Sequence, residues 1–257
     1  MTQHPDTALV DTWFEAWARS RGYRTDTEGG RRAALRTQRP ARMIPGGSGR
    51  ASLDVPATWE HVLVTPGQEE LDALEPILDD APDSLVTVFG EAEGDLAGLG
   101  LACQVDAERL MALEMDPELL DVEPPLLPEG YEARVDEPVD GSRRLRVVAV
   151  GASTAPEGEE ELAALGWVTF QDATAVYDRI WTAPNHRRRG MGSLVMRHLT
   201  SEVMSEGEVR RGLLVASPDG QKLYAHLGWT DVAPVAIFSR DRVEGAATPE
   251  HTGTMGG

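Results

Sequence analysis

The segment Arg187-Arg188-Arg189-Gly190-Met191-Gly192 puts three guanidinium groups beside two glycines spaced one residue apart. Glycine lets a backbone turn tightly and present its N–H groups. A helix starting there adds the positive end of its dipole, and the arginines raise the local potential. The chemistry such a segment predicts is the cradling of a polyanion, with a pyrophosphate as the ligand. A Walker loop needs Gly-Lys followed by Ser or Thr, which this chain lacks, and a dinucleotide fingerprint needs a third glycine where Val195 stands. The plain alternative is a basic surface turn beside a helix start.

The flanking patterns show what would hold this segment in place. Residues 176–182 are rich in β-branched and aromatic side chains and stop at Ala183-Pro184, as a strand entering a turn does. From Ser193 onward, Val195, Met196, Leu199 and Val203 fall on one helical face, and Gly207 is placed to end the helix. Residues 212–216 then read as a buried strand, 221–227 as a short helix, Gly228-Trp229 as a turn and 235–239 as a last strand.

With Arg187, Gly190 and Gly192 on its defining positions, the basic segment resembles the Arg/Gln-x-x-Gly-x-Gly/Ala signature of the GNAT superfamily, the acyl-CoA-dependent N-acyltransferases. The stretch 223–229 resembles that family's aromatic-x-x-x-Gly-aromatic element, through Tyr224, Gly228 and Trp229. The resemblance implies an α/β fold of the α+β kind: a mixed, mostly antiparallel central sheet flanked by helices.

The resemblance also implies roles. Acetyl-CoA is the expected acyl donor, and no metal is expected. Its pyrophosphate would lie on backbone N–H groups of Arg188, Arg189, Gly190, Met191, Gly192 and Ser193, with Arg187, Arg188 and Arg189 supplying charge. Ile180, Trp181 and Thr182 would offer their peptide groups to the two amides of the pantetheine arm. The thioester would sit in a gap between that strand and the strand at 213–216, its carbonyl polarised by a nearby backbone N–H. Tyr224 occupies the family position for protonating the departing thiolate; a core aromatic with a wet hydroxyl is the plain alternative.

For the general base, Asp178 is a candidate because period-two alternation puts it on one face with Ile180 and Thr182. It could equally face solvent, or pair with Arg179 or Arg197. Glu132, Asp136, Glu137 or a chain of waters are the other options. Ser217, near a family position often filled by asparagine, is a candidate for holding the cofactor or a water. The implied reaction is direct attack by a primary amine of a small molecule or peptide on acetyl-CoA in a ternary complex. The alternative is an acyl-CoA-binding sensor or regulatory module with little transfer.

Composition narrows the partners. With 43 acidic against 24 basic side chains in 257 residues and a net charge of −19, the chain lacks the basic face that nucleic acid requires. A negative field favours cationic amines near the site. The basic stretch Arg31, Arg32, Arg36, Arg39 and Arg42 reads as a solvated face before it reads as a binding arm. Apolar runs are too short to span a bilayer and the N-terminus lacks a signal-peptide pattern, so a cytoplasmic protein without membrane contact is expected. Cys103 is the only cysteine, which excludes an intrachain disulfide, and the six histidines show no ligand spacing. The oligomeric state stays open, with a homodimer among the options.

The first half holds a second pattern. Val10, Trp13, Phe14 and Trp17 repeat at three and four residues, predicting an amphipathic helix over 7–21. Strands are expected at 62–65, 85–89 and 108–115, a helix over 69–78 interrupted at Pro76, and a short helix at 95–99. Val64-Thr65-Pro66 stands where Thr182-Ala183-Pro184 stands, and residues 96–100 stand where 224–228 stand, without the arginines and with Leu96 for the tyrosine. The reading is a degenerate GNAT-like or accessory unit at 1–116, a proline-containing linker at 117–128, the GNAT catalytic domain at 129–242 and a tail at 243–257. The competing reading is that any two strand-helix-strand segments look alike. If the first unit completes the acceptor wall, a cut at the linker is expected to spare acyl-CoA binding but lose acceptor specificity.

Overall fold

The computed structural model describes residues 5–37, 57–116, 118, 123–150 and 161–240. Arg39, Arg42, the loop at 151–160 and the tail at 243–257 lie outside the described residues.

Helix α1 (Thr7–Arg21) has the predicted bounds. Asp6 caps it by accepting the Ala8 N–H at 3.0 Å, and Gly22, at φ 65°, closes it in the left-handed conformation that glycine adopts without penalty. Strands β1 (Arg24–Asp26), β2 (Ala33–Arg36) and β3 (Thr58–Val64) follow, then helix α2 (Gln68–Asp80), β4 (Leu85–Phe89), a 3-10 turn at Ala97–Leu99 and β5 (Ala102–Glu114). Helix α2 runs through Pro76 without the expected interruption. Pro76 lies on the exposed side, where water satisfies the carbonyl that proline leaves unpaired.

The second half contains β6 (Tyr131–Asp136), β7 (Ser142–Ala149), β8 (Glu161–Gln171) and β9 (Thr174–Thr182), then α3 (Met191–Ser205), β10 (Arg211–Ala216), α4 (Pro218–His226) and β11 (Thr230–Ser239). The eleven strands of the described residues form one mixed, mostly antiparallel sheet in the order β1-β2-β3-β4-β11-β5-β10-β9-β8-β7-β6. That order is symmetric about the β11–β5 pair, apart from β6, which has no counterpart. The parallel pair β3-β4 mirrors the parallel pair β9-β10, and β2-β3 mirrors β8-β9.

The two halves exchange their last strands. Strand β4 pairs with β11 from the second half, and β10 pairs with β5 from the first, while β5 and β11 lie side by side at the centre. Each half therefore depends on the other for the strand that completes its sheet. A cut in the linker leaves β10 and β11 without the strand between them.

Helix α1 covers one face. Val10, Phe14 and Trp17 pack there against residues of both halves, including Val62, Phe89, Leu110, Val176, Leu213 and Val235. Helices α3 and α4 cover the other face through Val195, Leu199, Tyr224 and their neighbours, and α2 covers it in the first half through Leu71, Leu74 and Leu78. Only residues 137–141 join β6 to β7, so no helix intervenes there, and α1 lies against β8 and β9. None of the described helices is long and apolar enough to cross a membrane.

Candidate active site

The basic segment forms a left-handed turn between a 3-10 turn at Pro184–His186 and helix α3. Arg188 has φ 61° and Gly190 φ 76°. A non-glycine residue held there costs roughly 1–2 kcal/mol, and such strain concentrates where a backbone must present its amides. Gly190 is the N-cap of α3 and offers no side-chain cap. The first intrahelical bond runs from Leu194 N–H to Gly190 C=O at 3.0 Å, so the N–H groups of the opening turn point outward without a partner in their own helix. Arg187, Arg188, Arg189 and Gly190 are exposed around them. The two glycines do different work. A Cβ on Gly190 would meet open space, so its requirement is conformational; one on Gly192 would lie 3.0 Å from Leu223 of α4, so its requirement is close packing.

The opening turn of α2 differs. Glu93 and Gly94 donate N–H bonds to Pro66 C=O at 2.9 and 3.1 Å, and Asp95 N–H donates to Gln68 at 2.9 Å. A Cβ on Gly94 would lie 2.7 Å from Leu71 and 3.0 Å from the Gln68 nitrogen. The chain itself covers that helix start.

Strands β9 and β10 pair only at Thr174–Arg211, Ala175–Gly212 and Val176–Leu213. Beyond these they diverge, leaving the edge of 177–182 facing 214–216 across a gap. Ile180, Trp181 and Thr182 line this edge and are half-buried. A bulge falls at the same place: Trp167 is opposite Asp178 but Leu165 is opposite Trp181, and the extra residue, Arg179, has φ 53°. Opposite the bulge, Gly166 has no side chain, and a Cβ there would strike Val195 at 2.5 Å and Ile180 at 2.9 Å.

This bulge corrects the alternation read from the sequence. Ile180 turns to the α3 face, among Val195 and Leu199, while Asp178 turns to the α1 face. There Arg21 holds Asp178 in a fork, with Nε at 2.9 Å and Nη2 at 2.8 Å, and the Arg179 backbone N–H donates to it at 2.8 Å. A carboxylate accepting three hydrogen bonds clamps the bulge to α1. Burial opposes charge on Arg21, but the Asp178 carboxylate more than offsets it and raises the guanidinium's pKa. Arg179 moves the other way, to about 10, through burial first; Asp178 opposes the fall, and the like charges of Arg21 and Arg144 add to it.

The other acids are also engaged. Arg144 binds Asp136 through two nitrogens and, by that hydrogen bond, holds its carboxyl below the usual range. Glu132 pairs with Arg134 at 3.2 Å and Glu137 with Arg143 at 3.2 Å. Arg31 and Arg32 of the basic stretch pair with Asp26 and Asp11, and Arg36 with the buried Glu60, so these arginines are ion-paired within the chain.

Tyr224 sits on α4, tilted against Trp229 with ring centroids 6.2 Å apart. Burial, and then the charge of Asp178, push its phenol up to about 12. It stays protonated at neutral pH. Ser217 is the N-cap of α4, its Oγ accepting the Gly220 N–H at 3.4 Å.

One network has no counterpart in the sequence reading. Tyr131 OH lies 2.9 Å from His186 Nδ1, His186 Nε2 lies 2.9 Å from Glu161 Oε1, and Arg189 donates to the Tyr131 oxygen at 3.3 Å. Asn185 donates to the same Glu161 oxygen at 2.7 Å. With Nε2–H donating to Glu161, His186 Nδ1 accepts the tyrosine hydroxyl, and the chain of donors runs consistently from Arg189 to the carboxylate. This ties one arm of the cradle to β6 and β8. His186 adjoins the arginines in sequence, but its partners lie 55 and 25 residues away, with no spacing to betray them.

The family model described as an acetyltransferase (GNAT) domain matches residues 149–231. These hold the bulged strand, the cradle, α3, the gap and Tyr224. Among solved structures, the chain is similar to a GCN5-related N-acetyltransferase from Kribbella flavida, at 17% identity and TM-score 0.58, over 91% of this chain and 95% of that one. It is also similar to a GCN5-related N-acetyltransferase from Sphaerobacter thermophilus, at 13% identity and TM-score 0.52, over 96% and 98%. A tandem GNAT protein from the clavulanic acid biosynthesis pathway aligns at 15% identity and TM-score 0.51, over 92% and 96%. No curated protein matches by sequence. Residues 149–231 thus match a GNAT domain model, and the fold is shared with these solved structures along most of the chain.

Proposed function

We propose that this protein is an N-acetyltransferase that moves an acetyl group from acetyl-CoA to a primary amine of a small molecule or peptide in a ternary complex. The observation that carries the reading is the coincidence, within the β9–β10 region, of three features. They are an outward-facing helix start at Gly190–Ser193, an unpaired strand edge at 177–182, and a buried, protonated phenol at Tyr224 on α4.

The chemistry follows from this arrangement. The opening turn of α3 and the flanking arginines bind the pyrophosphate, and the free edge of β9 pairs with the amides of the pantetheine arm. A backbone N–H at the bulge polarises the thioester carbonyl. The amine attacks the carbonyl carbon and the C–S bond breaks. Tyr224 then gives its proton to the leaving sulfur. Since every candidate carboxylate is already paired, the ammonium proton leaves through water. Orientation of two bound reactants supplies much of the acceleration.

The exchanged strands and the mirrored strand order support a tandem reading in which the first half keeps the fold and its covered helix start binds no cofactor. The soluble interior is the expected location. The direct test is incubation with acetyl-CoA and a panel of amines, following free thiol. Acceptor-dependent thiol release is the expected result. Acetyl-CoA binding without acceptor-dependent thiol would instead support a sensor module.

A further inference from the structure

The face of β7, β8 and β9 opposite α3 carries a charge balance unlike that of the rest of the chain. Around Trp167, itself buried, stand Arg144 and Arg146 from β7, Arg179 from the bulge of β9 and Arg21 from α1. Two carboxylates answer these four guanidinium groups: Asp178, shared by Arg21 and Arg179, and Asp136, shared by Arg144 and Arg146. Glu132 and Arg134, next along β6, pair with each other and leave the balance unchanged. A chain of net charge −19 thus holds a positive basin beside the gap, on the face where α1 ends.

The basin is built, not incidental to a flexible surface. The Arg179 guanidinium carbon lies 3.5 Å from the centre of the Trp167 ring and its Nη2 donates to Ser20 C=O at 3.0 Å, so the group is fixed by stacking and by α1. Arg144 lies over the same ring at 5.4 Å. The buried Nε of Arg146 makes no hydrogen bond among the described residues, and that of Arg179 has only the Asp178 carboxylate, at 3.5 Å and outside hydrogen-bond geometry. Planar, fixed guanidinium groups with donors to spare are the recognition element for carboxylate and phosphate oxygens. An overall negative field would have favoured purely cationic amines; the local arrangement selects differently.

We infer that the acceptor is an amine that also bears an oxyanion, a carboxylate or a phosphate ester, whose oxygens are held by Arg179 with Arg146 while the amine enters the gap. The inference rests on the transferase reading and specifies its substrate class. It also assigns α1 a role, since Arg21 and Ser20 hold the bulge and Arg179 in place.

The test is a matched acceptor series with acetyl-CoA: ω-amino acids from glycine to 6-aminohexanoate, each against its carboxamide, and phosphoethanolamine against ethanolamine, following thiol release. At least one oxyanion-bearing amine is expected to exceed its neutral partner about tenfold in kcat/KM, the scale of charge-assisted hydrogen bonds. The amino acid and phosphoethanolamine arms tell carboxylate from phosphate. Arg179→Met and Arg146→Met are expected to erase the preference, and Arg179→Lys to restore part of it. Equal turnover of charged and neutral partners, or a preference that survives both Met variants, overturns the inference. If no acceptor releases thiol, the transferase reading fails separately. Calorimetry of the N-acetylated acids and amides on coenzyme A-saturated protein then decides: tighter binding of the acids upholds the basin, and equal or absent binding overturns it.

Discussion

The Arg21–Asp178 pair distinguishes a structural clamp from a catalytic base, and its strength follows from geometry. Two short bonds, at 2.9 and 2.8 Å, join side chains that are 27% and 19% exposed. Fully exposed pairs contribute at most about 1 kcal/mol, whereas removing one partner of a buried pair costs about 3–5 kcal/mol. A part-buried fork lies between, at about 2 kcal/mol, or roughly 4–8 °C of melting temperature for a chain of this size. Asp178→Asn, Arg21→Met and the double variant form a cycle measured by thermal and urea unfolding. Each single change is expected to destabilise, and the double variant to be little worse than either, with a coupling energy of about 2 kcal/mol. Turnover by Asp178→Asn is expected to stay within about tenfold of the parent, because loss of a general base costs about 100- to 10,000-fold. Additive effects, with coupling under about 0.5 kcal/mol, would refute the clamp. So would a hundredfold loss of kcat in Asp178→Asn alone, with Arg21→Met fully active.

Five further outcomes are expected. Gly190→Val places a β-branched residue at φ 76° and should weaken acetyl-CoA binding about tenfold or more by calorimetry, through roughly 1–2 kcal/mol of backbone strain plus lost amide geometry; Gly192→Ala, opposed by a movable Leu223 side chain, should have the smaller effect. Tyr224→Phe should lower kcat about 10- to 100-fold with cofactor affinity unchanged. Because the folded phenol is pushed up to about 12, above its ordinary value, it loses no proton at neutral pH, and the wild type should show no Tyr224-dependent fall in turnover until the pH rises toward that value. Tyr131→Phe should raise the KM for acetyl-CoA several-fold with kcat nearly constant, because it frees Arg189 from His186; a kcat effect alone would argue against a positioning role. Residues 129–257 expressed alone should give no cooperative unfolding transition, since β5 is missing from between β10 and β11.

Much of the second half was legible because its signals are local. The apolar spacing at Val195, Leu199 and Val203, the glycines at 190 and 192 and the order strand, helix, strand all operate within a few turns of chain. The same holds for α1, where Asp6, Gly22 and the Trp13–Trp17 stripe fix both ends and the buried face. The failures are those of pairing at a distance. Period-two alternation put Asp178 beside Ile180, but one inserted residue at Arg179, accommodated by Gly166 on the neighbouring strand, sends them to opposite faces. The similarity of the two halves was visible at Pro66 and Pro184, yet the exchange of β5 and β11 was not, because either strand satisfies the same hydrophobic pattern in either place. Arg21 and Asp178 are separated by 157 residues, and no spacing rule links them.

The central claim is that main-chain amides at the start of α3 bind the diphosphate of an acyl-CoA while the equivalent position on α2 is closed by residues 93–95. Calorimetric titration of the full chain with coenzyme A measures this directly. The account predicts one site per chain, lost or strongly weakened in Gly190→Val. No heat of binding by the folded protein, or affinity unchanged in Gly190→Val, would contradict it.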